Sequence, residues 1–296
     1  MVRVGFIGLG TMGGRMCHNL LADDHDLVVF DIREEAVDPL VEAGADSADT
    51  MLELARKSDV VMLSLPGPDE VVQVVDELGD GLGDGDVLVD LTTSTPSTTN
   101  AVDEELSTRS VDVLGAPVSG GRSGAENGTL SVMVGGDTDV FEACRPIFES
   151  IGSDIFYIGE QPGHGHAMKL VNNYLSFVAM ICTSEAVSIG EQVGLEVETM
   201  VDVFNQSSGQ NTATSFKFPE YIMTEQYDMD YNMALVEKDM QLLMDVTRET
   251  GTPFMAGGTI RQIIAYIRAE LGYEADYTEI YKYFDKIAND GAETSY

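Results

Sequence analysis

Two side chains near the middle of the chain are spaced for joint chemistry. Lys169 and Asn173 stand four residues apart, so on a helix they share one face, one turn from each other. They open an apolar run over 163–194 in which Lys169 is the one charge near the start. A lysine there has two courses. Its amine snorkels to solvent along its alkyl stem, or it lines a polar site as a general acid/base. In the second case apolar surroundings draw its pKa below the reference of about 10.4, toward working pH. Spacing alone leaves both open.

Two glycine-bearing stretches offer it something to act on. Gly8-Leu9-Gly10-Thr11-Met12-Gly13 follows a short apolar run at 2–7 and precedes helical spacing over 14–21. In that context G-x-G-x-x-G is a dinucleotide fingerprint. Gly8 permits a tight turn, Gly10 lets a pyrophosphate approach the backbone, and Gly13 lets the helix pack close to the strand. The helix N-terminus then offers N–H groups to the phosphates. Asp31 ends the next apolar run, eighteen residues after Gly13. An acid there accepts the ribose hydroxyls and repels a 2′-phosphate, which favours NAD over NADP; Arg33 is a cation that could partly reverse that preference. Further on, Ser119-Gly120-Gly121 would present successive N–H groups unobstructed by side chains, a concavity suited to a carboxylate. A purely structural loop is the other reading.

Elements must hold these residues in place. Buried strands are expected at 2–7, 27–30, 59–65, 86–91 and 155–158, with helices at 14–21, 69–78 and 137–151 between them. Strand–helix alternation builds a doubly wound, mostly parallel α/β sheet of Rossmann type. Ligands bind such a sheet beyond the carboxyl ends of its strands, where Leu65-Pro66 and Thr92-Thr93 fall. After residue 195 the pattern is helical throughout, with amphipathic spans at 198–205, 235–249, 254–270 and 277–288. The expected division is a dinucleotide-binding domain over 1–163 and an all-α domain for substrate binding and oligomerisation over 164–296, linked by one long helix.

Composition excludes several functions. Lys+Arg 16 against Asp+Glu 51 gives a net charge of −35 and a pI near 4.1, a surface that repels nucleic acid and anionic lipid. The acids are dispersed between apolar runs rather than gathered in a tail. This pattern suits a folded, halophilic protein whose self-repulsion is screened at high salt, where the Debye length is about 3 Å or less. Cys17, Cys144 and Cys182 are widely spaced and form no C-x-x-C, which argues against a disulfide framework or zinc site. His164 and His166 flank Gly165 without a supporting ligand cluster and read as loop residues, so no metal is expected. The 163–194 run is too polar for a membrane span, and 2–7 is strand-like rather than a secretory leader. A soluble, cytoplasmic protein is expected.

Five motifs then occur in order: Gly8–Gly13; Asp90-Leu91-Thr92-Thr93-Ser94-Thr95-Pro96; Ala116-Pro117-Val118-Ser119-Gly120-Gly121; Gly163-x-Gly165-x-x-x-Lys169-x-x-x-Asn173; and Leu235-x-x-Lys238-Asp239. Together they resemble the β-hydroxyacid dehydrogenase family (3-hydroxyisobutyrate dehydrogenase-like, related to 6-phosphogluconate dehydrogenase) over nearly the whole chain. The resemblance implies Lys169 as the catalytic lysine, Asn173 holding substrate beside it, and Ser119-Gly120-Gly121 binding the substrate carboxylate. It also implies that Leu65, Pro66 and Thr93 touch the cofactor near its nicotinamide, and that Lys238 reaches it from the second domain; a plain Lys238–Asp239 ion pair is the other reading. Family members are commonly dimers or tetramers, so a homodimer or homotetramer is expected. Asn205-Gln206-Ser207-Ser208-Gly209 matches the family's Ser-Ser-Gly turn, but Gln210 stands where an arginine is frequent, in a region that shapes substrate choice. The reading is an NAD-dependent oxidation of a small 3-hydroxy acid to its semialdehyde. Its alternatives are a tartronate or succinic semialdehyde reductase and, from a different class, a regulatory protein that binds cofactor without catalysis.

Overall fold

The computed structural model describes residues 2–293. Short β-branched runs ended by glycine, serine or aspartate form the strands. They are β1 (Arg3–Ile7), β2 (Asp26–Phe30), β3 (Asp46–Ser47), β4 (Val60–Leu63), β5 (Val87–Asp90), β6 (Asp112–Gly115), β7 (Val118–Ser119), β8 (Leu130–Gly135) and β9 (Gly152–Gly159). They make one sheet in the order β3-β2-β1-β4-β5-β6-β8-β7, with β9 also on β8. Strands β1 to β6 run parallel. β8 is antiparallel to β6 and β7, and β9 runs parallel to β8.

The helices of this part are α1 (Gly13–Ala22), α2 (Glu34–Glu42), α3 (Met51–Arg56), α4 (Pro68–Leu78), α5 (Pro96–Ser107), α6 (Gly121–Asn127) and α7 (Thr138–Ile151). They cover both sheet faces, and residue alternation along the strands sorts the core accordingly. Val4, Phe6, Val29, Met62 and Val89 pack against Met16, Leu20, Phe141 and Phe148 of α1 and α7. Ile7, Val28, Val61, Leu63 and Leu88 pack on the other side against Leu54, Val74, Val75 and Val102 of α3 to α5. The fold is a Rossmann-type sheet, as expected. The glycine-rich stretch after Gly115 also supplies β7 and β8, which had no alternation long enough to betray them.

α8 (Gly163–Gln192) follows, thirty residues and about 45 Å long. The chain divides into two compact units between Leu170 and Val171, within this helix; the sequence reading drew the boundary at its first residue. The loop reading of His164 and His166 is corrected here, because both lie in its first turn. The second unit is all helical, with α9 (Val197–Asn205), α10 (Met233–Thr250), α11 (Met255–Leu271) and α12 (Ile280–Glu293). Phe177, Met180, Phe218, Val236, Ile264 and Tyr277 are among its core residues. Residues Ala213–Ile222 form a π-helix that the sequence pattern did not reveal. The Met223 N–H donates to the Phe218 carbonyl at 2.9 Å, five residues back.

Candidate active site

The fingerprint turn gives each glycine a separate task. Gly8 has φ +92°, and a Cβ there would meet the Ser64 carbonyl. A Cβ at Gly13 would meet the Gly8 carbonyl, so α1 approaches β1 only because that atom is missing. Nothing lies within 4 Å of the Cβ position at Gly10, which leaves its backbone open to a ligand. Thr11 and Met12 complete the turn, and Thr11 is exposed. A cleft of about 380 Å³ borders this turn, lined by Leu9, Gly10, Gly14, Arg15 and Leu40 among others. These features fit the pyrophosphate and adenosine half of a dinucleotide.

Asp31 stands at the end of β2 with its side chain 7% exposed. It accepts the Leu9 N–H at 2.7 Å and the Arg33 N–H at 2.9 Å, and the Arg33 Nε donates to it at 3.2 Å. Burial alone would raise its pKa. The Arg33 side chain, then the two backbone N–H groups, overcome that and hold the carboxyl below its usual range. Asp31 therefore stays ionised at the edge of the turn, with Arg33 turned onto it.

At the carboxyl ends of β4 and β5, the Leu65 N–H donates to the Thr92 hydroxyl at 3.1 Å. The Thr92 N–H in turn donates to Asp90 at 2.9 Å. Leu65 and Thr93 are half-buried and Pro66 is exposed, so the structure brings these expected cofactor-side residues to one rim. Ser119 ends β7, held in register opposite Ser131 of β8. Gly120 and Gly121 follow with φ +131° and +62°, values that favour glycine, and nothing lies within 4 Å of the Gly121 Cβ position.

Lys169 is positioned by the first turn of α8. A Cβ at Gly165 would meet the carbonyls of Gly115 and Met133, and one at Gly163 would meet Pro96 and Asn100. The turn thus lies backbone against backbone on the ends of β6 and β8, and the Gly163 N–H donates to Asn100 Oδ1 at 2.9 Å. Lys169 is 8% exposed, which disposes of the snorkelling alternative. Asn173 follows one turn later, equally buried. Its Nδ2 donates to Asp239 Oδ2 at 2.7 Å, and the Tyr231 hydroxyl donates to the same oxygen at 2.6 Å. Asp239 thereby fixes the amide and leaves Asn173 Oδ1 as an acceptor. Lys238 Nζ lies 3.7 Å from the other Asp239 oxygen. The sequence named Asp239 only as Lys238's neighbour, and it missed Tyr231, whose role depends on packing between helices. Among the described residues there is no cluster of three or more His, Cys, Asp or Glu that could hold a metal. The three cysteines are free.

This arrangement, an open Gly10 turn on a Rossmann sheet and a buried lysine at the start of a long helix, is that of an NAD(P)-dependent oxidoreductase. Residues 3–159 match the model of the NAD binding domain of 6-phosphogluconate dehydrogenase. Residues 163–284 match that described as NAD-binding of NADP-dependent 3-hydroxyisobutyrate dehydrogenase. The chain is 35% identical over 290 residues to 2-(hydroxymethyl)glutarate dehydrogenase of Eubacterium barkeri, covering 97% of this chain and 96% of that one. It is 34% identical to NAD-dependent L-serine dehydrogenase of Pseudomonas aeruginosa, covering 96% and 98%. The solved structure of Mycobacterium tuberculosis 3-hydroxyisobutyrate dehydrogenase with L-serine superposes with a TM-score of 0.89 at 27% identity, covering 96% of this chain and 99% of that one. The chain belongs to the β-hydroxyacid dehydrogenase family and is an NAD(P)-dependent 3-hydroxyacid dehydrogenase. No helix among the described residues is long and apolar enough to cross a membrane.

Proposed function

We propose that the protein oxidises a small 3-hydroxy acid of the 3-hydroxyisobutyrate type to its semialdehyde, with NAD as acceptor and Lys169 as general acid/base. The carrying observation is the burial of Lys169 at 8% exposure on a turn fastened to the strand ends. When bound, the nicotinamide supplies hydride acceptance. The chain's own residues do the rest. Ser119-Gly120-Gly121 holds the carboxylate, which sets the orientation of the carbon chain. Lys169 Nζ takes the hydroxyl proton as the hydride leaves and returns it in the reverse direction. Asn173, its amide fixed by Asp239, holds the substrate oxygen beside the amine. The ionised Asp31 supports NAD over NADP, because a 2′-phosphate would meet its charge.

The substrates named for the relatives support the class. 3-Hydroxyisobutyrate, L-serine and 2-(hydroxymethyl)glutarate all carry a hydroxymethyl group on the carbon that bears the carboxylate. The same two anchors therefore serve all three, and only the third substituent differs. The test is a panel of these acids and glycerate with NAD and with NADP in multimolar KCl, followed by the absorbance of the reduced nicotinamide. Turnover of 3-hydroxyisobutyrate with NAD is expected. No turnover of any acid with either cofactor, while NAD binding is demonstrated, would replace this reading with that of a regulatory cofactor-binding protein.

A further inference from the structure

Two buried side chains that the chemistry above leaves unused face each other beneath the site. Asp90 closes β5, and its Oδ1 accepts the Thr92 N–H at 2.9 Å. Its Oδ2 lies 3.4 Å from Nε2 of His166, in the first turn of α8, and the two side chains are 2% and 0% exposed. Among the described residues neither Oδ2 nor Nε2 has a hydrogen-bond partner. The contact is seated from below. A Cβ at Gly115, the last residue of β6, would run into Cδ2 and Nε2 of His166, so the ring lies flush on a strand end because that residue is glycine. His164, on the same turn, directs its ring at Gly159 instead. Lys169, three residues beyond His166, is the next titratable group along the helix.

A dry pocket of this kind disfavours charge. Two desolvated ions recover their hydration only with excellent geometry and further hydrogen bonds, and this pair has few. Burial raises the Asp90 carboxyl to about 7 against the pull of the Thr92 backbone and side chain. Burial likewise lowers the His166 imidazole to about 3, with the Thr92 backbone again opposing. One arrangement pairs Asp90 Oδ2 with His166 Nε2 without charge, a protonated carboxyl donating to an unprotonated ring nitrogen; it puts the ring proton on Nδ1, which likewise has no hydrogen-bond partner among the described residues.

We propose that Asp90 and His166 are a positioning pair, in which one O–H···N bond from neutral Asp90 to neutral His166 clamps the first turn of α8 to the strand end leading into Thr92 and Thr93, and so fixes where Lys169 stands. The proposal rests on Lys169 being the acid/base. Neither side chain touches substrate; each acts through the lysine.

Two measurements test it on the full-length protein. The first is the pair of imidazole 15N shifts of His166, assigned by their loss in His166→Gln. At pH 5, where an ordinary histidine is charged, an uncharged ring with Nε2 unprotonated is expected; an imidazolium would overturn the proposal. The second compares kcat in Asp90→Asn, whose amide still donates to Nε2, with Asp90→Val, which cannot. Below about pH 7, where the Asp90 carboxyl is protonated, Asp90→Asn should stay within about threefold of the parent. Asp90→Val should lose about tenfold or more, as expected for a displaced acid/base. Equal losses in the two variants would refute the clamp. The imidazole shifts need neither substrate nor turnover and do not depend on whether Asp90→Val folds. They therefore separate a failure of this pair from a failure of the Lys169 assignment.

Discussion

Lys169→Ala removes the one amine that the buried turn presents, while the fingerprint turn, Asp31 and the cleft beside Gly10 are untouched. Its kcat is expected to fall by about 10² to 10⁴, the usual range for one acid/base, with NAD affinity nearly unchanged in a fluorescence titration. Substantial residual turnover would remove the residue from its role. At this scale the sequence was legible where backbone geometry dictates residue type. The sequence reads Gly8 as a tight turn and Gly13 as a close helix–strand contact, and the backbone has both. Asp31 was legible because its distance from Gly13 is set by one helix and one strand. His166 was not. Its neighbours Asp90 and Gly115 are remote in sequence, and a histidine beside Gly165 carries no local sign that its ring will be buried on a strand end.

The first turn of α8 behaves as an element because its glycines are contact surfaces. Gly165→Ala would push a methyl group into the carbonyls of Gly115 and Met133. It is expected to cost about 1–3 kcal/mol in the manner of an overpacked core, and to lower kcat by moving Lys169. Gly10→Ala provides the contrast, since its Cβ enters open space. Its thermal midpoint should match the parent, whereas its affinity for NAD should drop. A fall in midpoint for Gly10→Ala, or none for Gly165→Ala, would mean that the two glycines have been assigned the wrong way round. Strands β1, β2, β4, β5 and β9 and helices α1, α4, α7 and α9 to α12 were legible from their apolar patterns, whereas β3, β6, α2, α3 and α5 were not. The π-helix Ala213–Ile222 was not, because it contains Pro219 and its ten residues follow neither period.

That π-helix carries Lys217, 3% exposed, whose Nζ donates to Thr212 Oγ1 at 2.9 Å and Ser176 Oγ at 3.0 Å. Burial lowers its pKa to about 8. A lysine lowered in the folded state binds fewer protons than its unfolded counterpart between about pH 8 and 10.5. Stability therefore rises with pH through that window, and the cost of burying the charge is greatest below it. Compared with Lys217→Met, the parent should gain thermal midpoint between pH 8 and 10. Parallel curves for the two proteins would place the lysine in solvent-like surroundings.

At the scale of the whole molecule, charge dominates. Sixteen cations cannot neutralise 51 acids, and many of the ion pairs that do form are local and partly exposed, such as Arg145–Glu142 and Lys57–Glu53. Such pairs contribute little each, so they cannot offset the repulsion spread over the rest of the surface. Both units bury apolar cores of ordinary kind, and we propose that screening is the condition that tips the balance toward folding. Raising the salt from about 0.01 M to 1 M shortens the Debye length from about 30 Å to about 3 Å. The thermal midpoint should therefore climb with KCl into the molar range, and dialysis to low salt should abolish helical circular dichroism and turnover together. Sodium sulfate would mix screening with its own exclusion from the protein surface, so a chloride series is the cleaner titration. A circular dichroism spectrum that is unchanged in low salt would show that the two cores suffice alone, and that the acidic excess is a matter of solubility rather than of folding.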